Sequence, residues 1–260
     1  MKLIYPSNII SVSATAEDAN YPADNVLNEH PKKLWKGDTV GSTETITCEV
    51  SGSAKGTNGV AIFNTNAKTI TVSVLNLFLY TLETGWSLET GWSAGTSSPI
   101  GTTQIFDVDP EGNATLWADY EEPVYVAHQL ELTFAVENAI IHVGVVVAGD
   151  RYDVAADAAY GLQEGLVDYS IVKKLSNGAD YIRDRDIVRK FSGIVNTIRS
   201  TEFYDLLIDV AKRNGQHPIA INVAHKNNDP KMVVYGSLNL VGEHRYKTIT
   251  PTKLEILEVV

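Results

Sequence analysis

Hydrophobic and polar residues alternate with a period of two over much of this chain. In Thr69 to Leu77, Ile70, Val72 and Val74 interleave with Thr69, Thr71 and Ser73, so an extended segment there carries one apolar face. Leu130, Leu132 and Phe134 do the same against Gln129, Glu131 and Thr133. Further β-branched runs fall at Thr43 to Val50, Val60 to Phe63 and Tyr125 to Phe134, between clusters of Gly, Ser, Asn and Thr. Ile140 to Val147 is almost continuously apolar, the pattern of a central strand covered on both faces. The first 150 residues therefore read as all-β.

After Tyr160 the pattern changes. Strands are expected at Leu166 to Lys174, Asp186 to Thr197, Ile219 to Val223, Met232 to Leu240 and Lys253 to Val259. One helix is expected at about 200–214: Phe203, Leu206, Leu207, Val210 and Ala211 recur at helical spacing, Ser200 or Thr201 caps the start, and Glu202 and Asp205 suit its positive end. Asn214-Gly215 stops it and Pro218 prevents continuation. Asp186 to Thr197 also fits a helical period through Ile187, Phe191, Ile194, Val195 and Ile198; its β-branched content and the Ser192-Gly193 break select a strand. The expected organisation is two domains, 1–150 and 151–260, with the boundary in the Asp- and Ala-rich stretch Gly149 to Ala159.

Two segments carry resemblances. Tyr21-Pro22-Ala23-Asp24-Asn25-Val26-Leu27-Asn28, followed by Leu34-Trp35-Lys36-Gly37-Asp38, is similar to the opening of galactose-binding-like (discoidin-type) jelly rolls, and Ile141-His142-Val143-Gly144 is similar to their closing strand. The resemblance spans roughly the first 150 residues. It implies a jelly-roll sandwich with Trp35 as a core anchor, a fold that serves sugar binding, protein docking and plain structure alike.

In the second half, the order Tyr160-Gly161, Asp168-Tyr169-Ser170, Arg189-Lys190-Phe191-Ser192-Gly193, the amphipathic helix, Pro218-x-Ala220, Asp229 and Val234-Tyr235-Gly236-Ser237-Leu238 resembles a family of minor tail proteins of tailed bacteriophages. That resemblance implies a second β-sandwich-type domain with one helix, assembled as a symmetric ring at the distal tail or baseplate beside other tail proteins.

Composition narrows the partners. A formal net charge of −11 argues against a nucleic-acid partner, because tracking phosphates needs clustered Lys and Arg. Cys48 is the single cysteine, which excludes an internal disulfide, a thiolate zinc site and a Cys-x-x-Cys redox site. Met1 to Ser7 is too short an apolar run for a secretory segment, and Ala139 to Gly149 is far short of the ~20 residues of a membrane helix. A jelly roll without export signal or disulfides fits a virion protein made and assembled in the host cytoplasm.

Candidate chemistry is sparse. Leu82-Glu83-Thr84-Gly85-Trp86-Ser87 is repeated at once as Leu88-Glu89-Thr90-Gly91-Trp92-Ser93. Trp86 and Trp92 on this Gly-rich segment form a candidate contact with a neighbouring subunit or a stacking platform for a sugar, against the alternative that they fold back onto the sandwich. Asp107-Val108-Asp109-Pro110-Glu111-Gly112 has the Asp-x-Asp-x-x-Gly start of a calcium loop, but Pro110 intrudes, the late bidentate Glu is missing and the segment also reads as a plain turn. Arg183, Asp184, Arg185, Asp186 and Arg189 interleave signs. On a strand the two signs would point to opposite faces, giving either a charge-selective subunit rim or a solvated edge strand.

Gly-x-Ser-x-Gly, His-Glu-x-x-His and Walker motifs are missing, the six histidines are scattered, and Glu121-Glu122 would diverge on a strand. The expectation is a protein that is not an enzyme and uses no cofactor: a structural component of a phage tail tip or baseplate, or alternatively a carbohydrate-binding module that recognises a host surface.

Overall fold

The computed structural model describes residues 1–76, 98–99, 103–108, 114–154, 162–174, 180–198, 204, 208–215, 217–224, 229–242 and 248–259. The chain is mainly β and divides into two compact units: residues 6–28 with 33–150, and residues 1–5 and 29–32 with 151–260.

The first unit is a sandwich of two antiparallel sheets. One sheet has the order β2 (Ile9–Ala14), β4 (Thr43–Val50), β10 (His128–Ala135), β6 (Thr69–Asn76) and β7 (Ser98–Pro99), with β8 (Gln104–Asp107) also on β6. The other contains β11 (Ile140–Asp153), β5 (Thr57–Thr65) and β9 (Ala114–Val124), with β3 (Trp35–Val40) also paired to β11. The period-two pattern explains the packing: Ile46, Cys48 and Val50, Ile70, Val72 and Val74, and Leu130, Leu132 and Phe134 turn inward from the first sheet. They meet Val60 and Ile62, Leu116, Ala118 and Tyr120, and Ile141, Val143, Val146 and Ala148 from the second.

Strand β11 is buried without interruption from Val143 to Asp150, as its apolar run requires. A single 3₁₀ turn, Ala23–Leu27, follows Pro22, and Asn25 Nδ2 donates to Leu34 O at 2.8 Å, leading the chain into β3. There Trp35 is fully buried, its ring centroid 6.1 Å from that of Phe134.

The second unit is built on one antiparallel sheet, ordered β12 (Gln163–Asp168), β15 (Ile187–Ile198), β18 (Ile249–Glu258), β17 (Val233–Gly242), β16 (Ile219–Asn222) and β1 (Lys2–Ser7), whose residues Lys2–Ile4 pair with β16. Phe191, Val195, Leu254, Ile256, Val234, Leu238, Ile219 and Ile221 line its inner face, together with Val210 of the helix α1 (Asp209–Asn214). Gly236 is required by close approach: a Cβ there would lie 2.4 Å from the carbonyl oxygen of Leu257 on the neighbouring strand.

Of the two periods that segment 187–198 fits, the structure has the strand, with Phe191, Val195 and Thr197 buried while Ile194 and Asn196 face outward. Other expectations are corrected. The expected single strand Leu166 to Lys174 is two, β12 and β13 (Ile171–Lys174), because the Asp168 carboxylate accepts from Ser170 N at 2.7 Å and turns the chain. The helix is described over Asp209–Asn214 and stops at Gly215, whose φ is +63°; Ser200, Thr201, Glu202, Phe203 and Asp205 lie outside the described residues. Among the described residues, a single sheet backed by α1, with a separate hairpin of β13 and β14 (Asp180–Arg183), takes the place of the expected second sandwich.

Candidate functional site

Six strand ends converge at one end of the sandwich, as strand register shows. His128 opens β10 and faces Val50, the last residue of β4, and Asn76, the last of β6. Asn76 in turn faces Ser98, so the segment carrying Trp86 and Trp92 leaves and rejoins the sheet here. On the other sheet Thr57 opens β5 opposite Val124, the last residue of β9. The connections 51–56 and 125–127 therefore share this end.

Tyr125 stands in the second connection, 58% exposed, beside Val126 at 52%. Its setting is made by two glycines of the first connection. A Cβ on Gly56, whose φ is +80°, would lie 2.7 Å from Pro123 Cβ and 3.0 Å from Tyr125 Cε1. One on Gly52 would lie 2.8 Å from the Tyr125 carbonyl oxygen. Glycine at both positions lets the backbone of 51–56 press directly on the Tyr125 ring edge and main chain. An exposed aromatic ring is thereby seated on rigid backbone.

A partly buried polar network pins the same connection. The Asp150 carboxylate, 6% exposed, accepts from Asn8 Nδ2 at 2.9 Å and from Ser53 Oγ at 2.7 Å. The second Asn8 amide proton serves Thr57 Oγ1 at 2.9 Å. Asn8 also donates its backbone N–H to Ala148 O at 2.7 Å and accepts Ser51 N–H at 2.8 Å. Ser53 O accepts Gly56 N–H at 3.1 Å, closing the turn. These mutual bonds fix the conformation of 51–57.

Behind Tyr125, His128 Nδ1 lies 3.0 Å from Val126 O. A carbonyl only accepts, so Nδ1 carries the proton and Nε2 the lone pair. Burial holds the His128 pKa below the ordinary imidazole range, against the smaller opposing effect of that hydrogen bond. The Tyr120 ring meets the imidazole edge-on at 6.0 Å, and burial raises its phenol. The thiol of Cys48 is pushed up to about 12 by burial, so it is chemically inert in the folded protein.

The sites expected from sequence fare unevenly. Trp86, Trp92 and Asp109 lie outside the described residues; Asp107 is exposed in β8 and accepts from Thr69 Oγ1 at 3.4 Å. Among the described residues, no group of three or more His, Cys, Asp and Glu side chains is placed to hold a metal ion.

The charged stretch does not alternate on one strand. Arg183 ends β14, while Asp184, Arg185 and Asp186 form the link to β15, where the backbone N–H of Arg185 donates to Ser170 Oγ at 3.0 Å. Asp186 pairs with Lys32. Arg189 is engaged within its own unit, Nε donating to Glu164 at 3.0 Å, its guanidinium 4.9 Å from the Phe191 ring centroid and its Nη2 donating to Lys231 O. Tyr125 is not singled out by the sequence pattern, in which it reads as the start of a strand.

No family model matches the chain, and no curated protein matches it. Solved structures similar to it include reduced XRCC1 bound to the DNA polymerase β catalytic domain, at 13% identity and a TM-score of 0.39, covering 57% of this chain and 98% of that one. A histidine mutant of the lectin-binding domain of lectinolysin, complexed with Lewis b, matches at 10% identity and 0.40, covering 56% and 96%. The CBM32 of AlyQ, complexed with 4,5-unsaturated mannuronic acid, matches at 18% identity and 0.36, covering 57% and 97%. At these scores the likeness carries no argument, and the functional reading rests on this chain's own residues.

Proposed function

We propose that this chain is a non-catalytic recognition protein that binds carbohydrate at the Tyr125 end of its sandwich. The observation that carries the reading is an exposed aromatic ring seated on Gly56, at the sheet end from which the Trp86 and Trp92 segment departs. Sugar rings present patches of C–H that pack on aromatic faces, while their hydroxyls need nearby polar partners. Lys55, beside Gly56 in the first connection, and Glu122, near the end of β9 ahead of Tyr125, are both exposed. Pre-set geometry matters because binding otherwise has to order the loop as well as the ligand. A glycan array probed with the intact chain tests the reading: selective binding that Tyr125→Ala abolishes supports it, and uniform silence overturns it.

A second reading, a structural protein of a multi-copy assembly such as the tail tip implied by the resemblance of the second half, is favoured by a different observation. The β13–β14 hairpin leaves Val172, Tyr181 and Ile182 exposed at 63%, 52% and 58%, more apolar surface than a lone hairpin keeps in water without a use for it. Both roles fit one protein, with recognition in the first unit and assembly in the second.

A further inference from the structure

We propose that the β13–β14 hairpin is a docking arm that seats on the acidic sandwich of a second copy of this chain. This rests on the assembly reading and names its partner and its two surfaces. The hairpin extends the β12–β15 pair beyond its last rung, Asp168 opposite Ile187. Its own rungs are Ile171 with Arg183, Val172 with Ile182, Lys173 with Tyr181 and Lys174 with Asp180. Successive rungs point to opposite faces, so Val172 and Ile182 lie on one face while Tyr181 and Ile171 lie on the other.

Neither face packs on a core. Seven of the eight strand residues are exposed, and Ile171 is half-buried. Leu166 at 71%, Tyr169 at 45% and Ile187 at 54% extend the apolar surface along the base of the arm. Two strands alone are marginal in water, and among the described residues no third strand pairs with either. Such an arm is completed by something outside the unit that carries it.

Charge identifies the occupant. Residues 171–185 hold four basic side chains, Lys173, Lys174, Arg183 and Arg185, against Asp180 and Asp184. No ion pair engages the four basic groups among the described residues.

The sandwich unit, residues 6–28 and 33–150, holds four Lys and Arg against 17 Asp and Glu, a net −13; the other unit holds 17 against 15, a net +2. Two sandwiches repel each other, and so do two arms. The complementary contact is arm to sandwich, which is heterologous and propagates from copy to copy.

Sedimentation velocity of the intact chain over a wide concentration range tests this, at about 0.05 M and about 0.5 M salt. The expected result is concentration-dependent association that weakens at the higher salt. Lys173→Glu with Lys174→Glu, and separately Val172→Ser with Ile182→Ser, each weaken it by about tenfold or more while circular dichroism stays unchanged. Cross-linking of mixed light- and heavy-isotope copies should join Lys173 or Lys174 of one copy to a carboxylate of residues 33–150 of another.

A chain that stays monomeric throughout, association unchanged in both double variants, or cross-links that join arm only to arm would overturn the proposal. Each of these readouts is independent of sugar binding, so failure here leaves the Tyr125 site standing.

Discussion

Gly56 and Tyr125, sixty-nine positions apart in the chain, touch so closely that even one methyl group on the glycine would overlap the tyrosine ring edge and Pro123. The positive φ of Gly56 adds to the demand for glycine. Gly56→Ala is expected to cost roughly 2 kcal/mol of stability through backbone strain and displacement of the ring. Denaturant titration measures the cost, and sugar binding should weaken alongside it.

Asp150 makes the second support of the same connection. Asp150→Ala removes the charged acceptor of the Asn8 amide and the Ser53 hydroxyl in a partly buried setting, and each lost hydrogen bond to a charged group is worth about 1.5–3 kcal/mol. A loss of roughly 3 kcal/mol is expected in chemical denaturation. Increased proteolytic cleavage within 51–56 should accompany it, since the turn loses its anchor.

Two imidazoles, the buried His128 and the half-buried His142, set a pH dependence. Burial lowers the folded-state pKa of His128, and burial together with the Lys36 charge lowers that of His142. The unfolded chain takes up these protons near the ordinary value of ~6.5, whereas the folded chain resists them until lower pH. Stability is therefore complete above about pH 7 and falls as the pH drops through ~6.5 toward the folded-state values. Melting temperatures measured from about pH 8 to about pH 5 should show this decline, and His128→Gln should make it shallower.

Cys48 gives a probe of the sandwich core. Its thiol is fully buried with a pKa pushed up to about 12, so a thiol reagent should leave the native chain unmodified at neutral pH and modify it once denatured. Rapid native-state labelling would contradict the packing described for β4.

The strands most legible in the sequence are those whose alternation is filled on one face only. Thr43 to Val50 coincides with β4 because Glu44, Ile46, Cys48 and Val50 turn to one side. In segment 187–198 the β-branched content outweighs the helical spacing, and the strand follows. Strand β9 is hidden in the sequence: Leu116, Ala118 and Tyr120 alternate in the core, but Trp117 is buried as well, bonding Asp119 through Nε1 at 2.8 Å, and breaks the pattern. The turn at Asp168-Tyr169-Ser170 carries an Asx signal that the apolar residues on either side mask.

The site built on Tyr125 is not legible in the sequence. Two tryptophans in a repeated, Gly-rich hexapeptide draw the eye instead, and they lie outside the described residues. Tyr125 does not stand out, because its exposure and its seat on Gly56 depend on two connections brought together by strand register. The spacing of Gly52 and Gly56 is the one local trace of that contact.

The most direct measurement is isothermal titration of a sugar selected on the array, against the intact chain and its Tyr125→Phe and Tyr125→Ala variants. The account predicts binding retained within a few-fold by Phe, lost by about tenfold or more in Ala, and equal melting temperatures for all three. Undiminished affinity in Tyr125→Ala would contradict it.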